Sequence, residues 1–386
     1  MRIGIDARMM TPKATRGIGR YVEELVRAML TAAPEHRYVL VTRTAIHPFS
    51  AHPSVETVVA DVPWYGIAEQ VRMPGVLRSM KADVVHVPHW NAPLRLKTPL
   101  AITIHDMILW EHPSLASTTL SPLKYWAKYF FYRFIVSQNV KRAKIVFTVS
   151  ESAKNSILRN LKVSPEKIIV TPNGIDPLPY NPPPSVGEDV QPLFIKNRGW
   201  TGEGCPYILS VGSGYPHKNL PTFFKVAKEL MTSNSQLMTI VAGTDPAFSK
   251  RLKKQAEEIL GNDIDRIKFA GLVSDAELGK LYKNANALIF TSQVEGFGLP
   301  PLEAALAGTP VVASSIDTSR EMLGSAVPLV NPTNVAGFVV AYRKIMANSA
   351  YKTAIISAAK AQAQIFSWDK TARLTQAGYK RIFSTR

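Results

Sequence analysis

Apolar runs of strand length alternate with stretches of helical period along almost the whole chain, and this alternation constrains the fold more than any single motif. "RIGID", "YVLVT", "VETVVA", "DVVHVP", "LAITIHD", "KIVFTVS" and "KIIVTPN" are separated by helical stretches starting at Tyr21, around Glu69, near Ser121 and at Ser152. Short apolar runs separated by amphipathic helices are the pattern of a parallel sheet covered on both faces. The pattern stops where Pro172, Pro177, Pro179, Pro182, Pro183, Pro184 and Pro192 crowd together, a composition that makes an extended, stiff linker. It restarts with "YILSVG", "LMTIVAG", "RIKFAG", "NALIFTS", "TPVVAS" and "AVPLV", again with helical stretches between. No repeat of solenoid period appears. A chain of 386 residues also exceeds the roughly 250–300 residues that one core sustains. The reading is two α/β domains, residues 1–180 and 205–365, joined by a linker over 181–204, with the gap between them as the expected ligand site.

Composition narrows the function. The single cysteine, Cys205, rules out an intrachain disulfide and a thiolate metal cluster and favours a reducing, cytoplasmic setting. The start, "MRIGIDARMM", has no apolar signal region, and no apolar run approaches the roughly 18 residues of a spanning helix. The net charge of +17 points to an anionic partner: nucleic acid, anionic lipid or a phosphate-bearing substrate.

The stretch most directly tied to chemistry is "EGFGLPPLEAALAGTP", a loop that follows an apolar run and opens a helix. In open parallel sheets, ligands sit where strands end and helices begin. Pro300 or Pro301 suits a first helical turn, and Gly296 and Gly298 let backbone amides approach a ligand at the positive helix end. Glu295 and Glu303, eight positions apart, can each accept hydrogen bonds from vicinal hydroxyls. A diphosphate flanked by hydroxyl-rich rings, as in a nucleotide sugar, matches that layout. A glutamate in a first helical turn also stabilises the helix dipole with no ligand at all.

"EGFGLPPLEA" resembles the paired-glutamate string of the retaining glycosyltransferases of family 4. "RGIGRYVEEL", "ITIHD", "VSESAKNSI", "VTPNGID", "SVGSGYPHKNL" and "FSWDKTA" resemble further strings of that family in the same order, so the resemblance covers nearly the whole chain. It implies the GT-B fold, two Rossmann-like parallel-sheet domains facing each other across a cleft, with residues 366–386 forming a helix that packs back on the N-terminal domain. It implies that Glu303 holds the donor's ribose and that Glu295 faces the donor sugar, together with Gly296, Phe297, Gly298 and Leu299. Lys218 matches the lysine that meets the diphosphate, while Ser213 stands where many members carry arginine. Gly243 and Val273 match positions framing the base, Gly17 and Gly19 match a loop closing over the phosphates, and His105 matches the histidine near the anomeric centre. Asp106 reads as a supporting group, and His89 and Trp90 as acceptor contacts. The expected reaction is metal-independent transfer of a hexose, with retention of configuration, to a lipid-linked or oligosaccharide acceptor in surface polysaccharide synthesis. GDP-mannose is the favoured donor, and UDP-glucose and UDP-N-acetylglucosamine remain open. A nucleotide-sugar epimerase on the same fold is the alternative enzyme.

Two motif readings are set aside. "GIGRYV" follows "RIGID" but has Val22 at the third glycine position and ten residues between strand and glycine, against a dinucleotide turn. "DID" at Asp263–Asp265 resembles a metal-binding motif but sits in a hydrophilic turn before a strand. Between Glu111 and Glu151 there is no acid, while Lys124, Lys128, Arg133, Lys141, Arg142 and Lys144 lie there. Within Ser121–Lys144, Leu123, Trp126, Ala127, Phe130, Phe131 and Phe134 form one helical stripe, and Tyr125, Tyr129, Tyr132 and Val136 a second. Two accounts follow: a core helix with a basic end, or peripheral docking on anionic membrane, which would place the protein on the inner face of the cell membrane. A binder of membrane or nucleic acid without catalysis would explain the charge, but no nucleic-acid motif accompanies it.

Overall fold

Residues 1–10, 17–178 and 205–384 are described by the computed structural model. The expected linker, 181–204, lies outside the described residues. Two units divide the chain, Met1–Gly174 with Phe366–Arg386, and Ile175–Ile365.

In the first unit seven strands, β1 (Arg2–Asp6), β2 (Arg37–Thr42), β3 (Val55–Val59), β4 (Val84–Val87), β5 (Leu100–Ile104), β6 (Ile145–Thr148) and β7 (Ile168–Val170), form one parallel sheet in the order β3-β2-β1-β4-β5-β6-β7. The inner strands are mostly apolar because both faces are covered, whereas the edge strand β3 has no buried position. In β2, Tyr38 and Leu40 enter a core shared with the helices Ile18–Ala32 and Trp368–Ser384. Val39 and Val41 point to the opposite core, built with Ile67–Ser79, Pro122–Arg142 and Glu151–Asn160. The closing helix is fixed to the sheet by Tyr379, whose hydroxyl lies 2.6 Å from Nδ1 of the buried His86, while His86 Nε2 lies 2.8 Å from Thr103 Oγ1.

The second unit repeats the plan with β8 (Tyr207–Val211), β9 (Met238–Ala242), β10 (Ile267–Gly271), β11 (Ala287–Phe290), β12 (Val311–Ser314) and β13 (Leu329–Val330), all parallel, in the order β10-β9-β8-β11-β12-β13. Helices Leu220–Ser233, Pro246–Leu260 and Val335–Ala347 bury Phe223, Phe224, Leu252 and Phe338 against one face. Helix Asp275–Asn284 starts at a capping box, with Ser274 and Glu277 satisfying each other's backbone amides.

In each sheet the strand order reverses once, between β1 and β4 and between β8 and β11. Loops leaving the carboxyl ends of those strands diverge and leave a crevice, which is where open α/β sheets bind ligands. The fold class is α/β with two parallel-sheet domains, as the alternation of the sequence implies.

Candidate functional site

At the reversal point of the second sheet, the loop after β8 carries Ser213 and Lys218 and the loop after β11 carries Glu295, Gly296, Phe297 and Gly298. The two loops are tied together by Lys218 Nζ, which donates to Glu295 Oε1 at 2.6 Å, both side chains being mostly covered. Thr291 Oγ1 donates to the Lys218 carbonyl at 3.2 Å and Thr318 Oγ1 to the Glu295 carbonyl at 2.8 Å. The Gln293 amide adds a bond to the His217 carbonyl at 2.8 Å. These anchors hold both ends of the pair in place, so a cation and a carboxylate are preorganised in one crevice.

Gly298 caps helix Leu299–Leu306 with φ 91°, a left-handed conformation that favours glycine. Glu303 is the fifth residue of that helix and lies buried, its Oε2 accepting from the Tyr282 hydroxyl at 2.9 Å. Phe297 is buried. Gly243 and Val273 follow β9 and β10, and the Gly243 amide bonds the Gly271 carbonyl at 2.7 Å, joining the two loops. Where the resemblance has arginine, Ser213 accepts from the Asp245 amide through its carbonyl at 3.2 Å, and Arg251 donates to the next carbonyl, Gly214, at 2.8 Å. Asp263, in the set-aside "DID" string, is paired with Arg266 at 2.9 Å inside a 3-10 turn.

At the reversal point of the first sheet, Gly17 and Gly19 open helix Ile18–Ala32 after β1. A Cβ on Gly19 would stand 2.4 Å from the Met9 carbonyl oxygen, so only glycine lets the helix start this close to the preceding turn. His105 follows β5, and its Nε2 lies 3.0 Å from the Pro88 carbonyl. A carbonyl only accepts, so Nε2 carries the proton and Nδ1 is the acceptor nitrogen. Burial pushes the His105 imidazole down to about 4, against a smaller upward pull from the Pro88 carbonyl. The ring is neutral at physiological pH, able to accept from a hydroxyl and unable to serve as a cation. The ring of Tyr21 meets it edge-on at 4.6 Å, and His89 lies at 6.2 Å. Asp106 accepts from the Ile108 amide at 2.9 Å, just before the short helix Ile108–Glu111.

Two sets of residues escaped the sequence reading. Arg8, fully buried, donates to both oxygens of Asp6, at 2.8 and 2.7 Å, to Glu69 at 2.6 Å and to the Val62 carbonyl at 2.8 Å. Glu69 in turn accepts from Asn91 at 2.6 Å and from the Tyr65 amide at 3.0 Å. This buried network holds the loop after β4, which bears His89 and Trp90. The second set is Asn139 and Arg142. Asn139 donates to the carbonyls of Trp90 and Ala92, both at 2.8 Å, and Arg142 to those of Pro93, Leu94 and Leu96. Arg142, counted above in the basic run, therefore turns inward, and burial pushes its guanidinium down to about 10.

The helix Pro122–Arg142 settles which stripe is core. Tyr125, Tyr129, Tyr132 and Val136 are buried, whereas Leu123, Trp126, Phe130, Phe131 and Phe134 are exposed, Leu123 at 83%. Arg133 lies over the Trp110 ring, 4.1 Å from its centre. Lys124, Lys128, Lys141 and Lys144 remain in solvent. No described helix is long and apolar enough to cross a membrane.

Comparisons with known proteins fit the same frame. Residues 15–177 match the family description "Glycosyltransferase Family 4" and residues 195–362 match "Glycosyl transferases group 1". The O-antigen chain mannosyltransferase RfbU of Salmonella typhimurium is 30% identical over 73% of this chain and 70% of its own length. O-antigen chain mannosyltransferase B of Escherichia coli is 24% identical over 95% of this chain and 96% of its own length. Among solved structures, sucrose-phosphate synthase from Thermosynechococcus elongatus superimposes with a TM-score of 0.73 at 18% identity, covering 100% of both chains. Two parallel sheets with a loop crevice at each reversal point, and family matches over both halves, lead to one conclusion: this chain is a hexosyltransferase that belongs to glycosyltransferase family 4 and has the GT-B fold.

Proposed function

We propose that the chain moves mannose from GDP-mannose to a lipid-linked or oligosaccharide acceptor in surface polysaccharide synthesis, with retention of configuration. The Lys218–Glu295 pair at 2.6 Å is the observation that carries this reading. Lys218 has three donors and uses one on Glu295, leaving others for a diphosphate. Glu295 orients that lysine and accepts from a donor-sugar hydroxyl, and Glu303, set beside Tyr282, takes the ribose hydroxyls. In the reaction the bond from the anomeric carbon to the diphosphate oxygen breaks. The acceptor oxygen bonds to the same face, and its proton passes to the leaving phosphate. No side chain becomes a nucleophile; Lys218 stabilises the charge that develops on the leaving group. Neutral His105 accepts from a sugar hydroxyl through Nδ1. The reaction as written requires no metal. Calorimetric titration with GDP, UDP and ADP checks the donor. One diphosphate, GDP, is expected to bind, and Glu303→Ala is expected to weaken it at least tenfold. Equal indifference to all three would remove the support for a nucleotide-sugar donor.

The acceptor is proposed to be presented at an anionic membrane surface. Leu123, Trp126, Phe130, Phe131 and Phe134 form an exposed stripe; taking a fully exposed leucine or phenylalanine out of water is worth about 1.5–3 kcal/mol, and less for those already partly covered. Lys124 and Lys128 lie along its edge, and no acid falls between Glu111 and Glu151. Each lysine adds about 1 kcal/mol at such a surface. Co-flotation with phosphatidylglycerol vesicles at physiological salt is expected, and is expected to be lost in Phe130→Ser/Phe134→Ser. No flotation of the wild type removes this part.

A further inference from the structure

Tyr65 stands out in the first unit because it is a bulky residue in a glycine conformation. Its φ is 62°, a left-handed backbone that tyrosine rarely adopts and that persists only when its surroundings enforce it. The enforcement is visible. The Tyr65 amide donates to Glu69 Oε2 at 3.0 Å, and Glu69 is held by Arg8 and Asn91, all three nearly wholly buried. The effect is to turn the Tyr65 ring flat against Trp90, with centres 5.0 Å apart and planes 20° apart. Tyr132 meets Trp90 edge-on from another side at 4.8 Å, which leaves Trp90 packed from two directions. Tyr65 itself is 42% exposed.

An exposed aromatic ring, backed by a second ring and fixed by a buried ion network, is a rigid platform with a negative face. The partner that suits such a face is flat, weakly positive and apolar on one side, as the C–H face of a pyranose is. Its position suits the reaction. The ring of His89 lies 5.6 Å from that of Tyr65 and 6.2 Å from that of His105. A sugar on Tyr65 thus sits two ring-to-ring steps from the histidine assigned to the donor sugar.

We propose that Tyr65, backed by Trp90, is the stacking platform for a pyranose ring of the acceptor, so that the acceptor is recognised by its sugar and not only by a lipid or phosphate. The inference rests on the hexosyl-transfer reading. Arg8, Glu69 and Asn91 act through Tyr65 and are positioning residues.

The test uses the full chain without donor and saturation-transfer NMR with the methyl α-glycosides of mannose, glucose, galactose and N-acetylglucosamine. At least one glycoside is expected to show transfer to its ring protons in the wild type. That transfer is expected to fall more than fivefold in Tyr65→Ala and Tyr65→Gly and to stay within twofold in Tyr65→Phe. Circular dichroism is expected to show the wild-type fold in all three variants. If Tyr65 only covers Trp90, the NMR signal is unchanged in Tyr65→Ala and Tyr65→Gly, which overturns the proposal. Absence of transfer from all four glycosides to the wild type overturns it as well. Calorimetric binding of GDP to the wild type, measured in parallel, reports on the donor reading separately: GDP binding without glycoside transfer overturns the platform alone, and absence of GDP binding overturns the donor reading.

Discussion

Lys218→Ala is expected to lower hexosyl transfer about 100- to 1,000-fold, the usual cost of removing one preorganised donor from developing negative charge. The reason is the pair at 2.6 Å. In the wild type the cation is balanced by Glu295, and the backbone carbonyls of Lys218 and Glu295 are anchored by Thr291 and Thr318 respectively. Removing the lysine deletes the stabilising charge and leaves a mostly covered carboxylate facing an anionic substrate. Lys218→Arg is expected to recover only part of the loss, since a planar fork does not reproduce a compact ammonium. Because the two residues act as one unit, the double variant Lys218→Ala/Glu295→Ala is expected to fall no further than the worse single one. The measurement is initial rate at saturating donor, with circular dichroism showing an intact fold. A loss of less than tenfold in Lys218→Ala would remove this residue from the chemistry.

Arg8→Met is expected to destabilise the first unit by about 3–5 kcal/mol, the range for breaking a buried ion network by removing one partner. Asp6 and Glu69 are 5% and 1% exposed and lose their shared cation together. Burial already pushes the Glu69 carboxyl up, with Arg8 opposing that shift. Without Arg8 that opposition is lost, and Glu69 is left with only the Asn91 and Tyr65 donors. Tryptophan fluorescence reads mainly this unit, because five of the six tryptophans, Trp64, Trp90, Trp110, Trp126 and Trp368, lie in it. The denaturant midpoint of that transition is expected to drop, and an unchanged midpoint would contradict the buried-network account.

Legibility in the sequence followed the range of each interaction. The thirteen described strands coincide with apolar runs visible in the sequence, because a strand covered on both faces is apolar at successive positions. Helices Asp317–Leu323, Val335–Ala347 and Ser349–Ala363 gave no comparable signal. In Ser349–Ala363 only Ile355, Ala359 and Ala363 are buried, so its alanine-rich faces contrast weakly. Glycine and proline placed the loop before Leu299, and strand ends placed Lys218 and His105. The bond joining Lys218 to Glu295 spans 77 positions, and no local pattern encodes it. Arg8 reaches Glu69 across 61 positions, and the string "WYG" gave no sign that Tyr65 takes the conformation a glycine would. The exposed stripe of Pro122–Arg142 is the more apolar of the two in sequence, so composition did not mark the core; packing on the sheet decided it.

The most direct measurement is NMR of the products formed when the wild-type protein is incubated with GDP-mannose and a mannose-containing acceptor. The account predicts free GDP together with a new α-linked mannoside, matching the α configuration of the donor. A β-linked product, a changed but unconsumed nucleotide sugar, or GDP-mannose left intact beside a competent acceptor would contradict it.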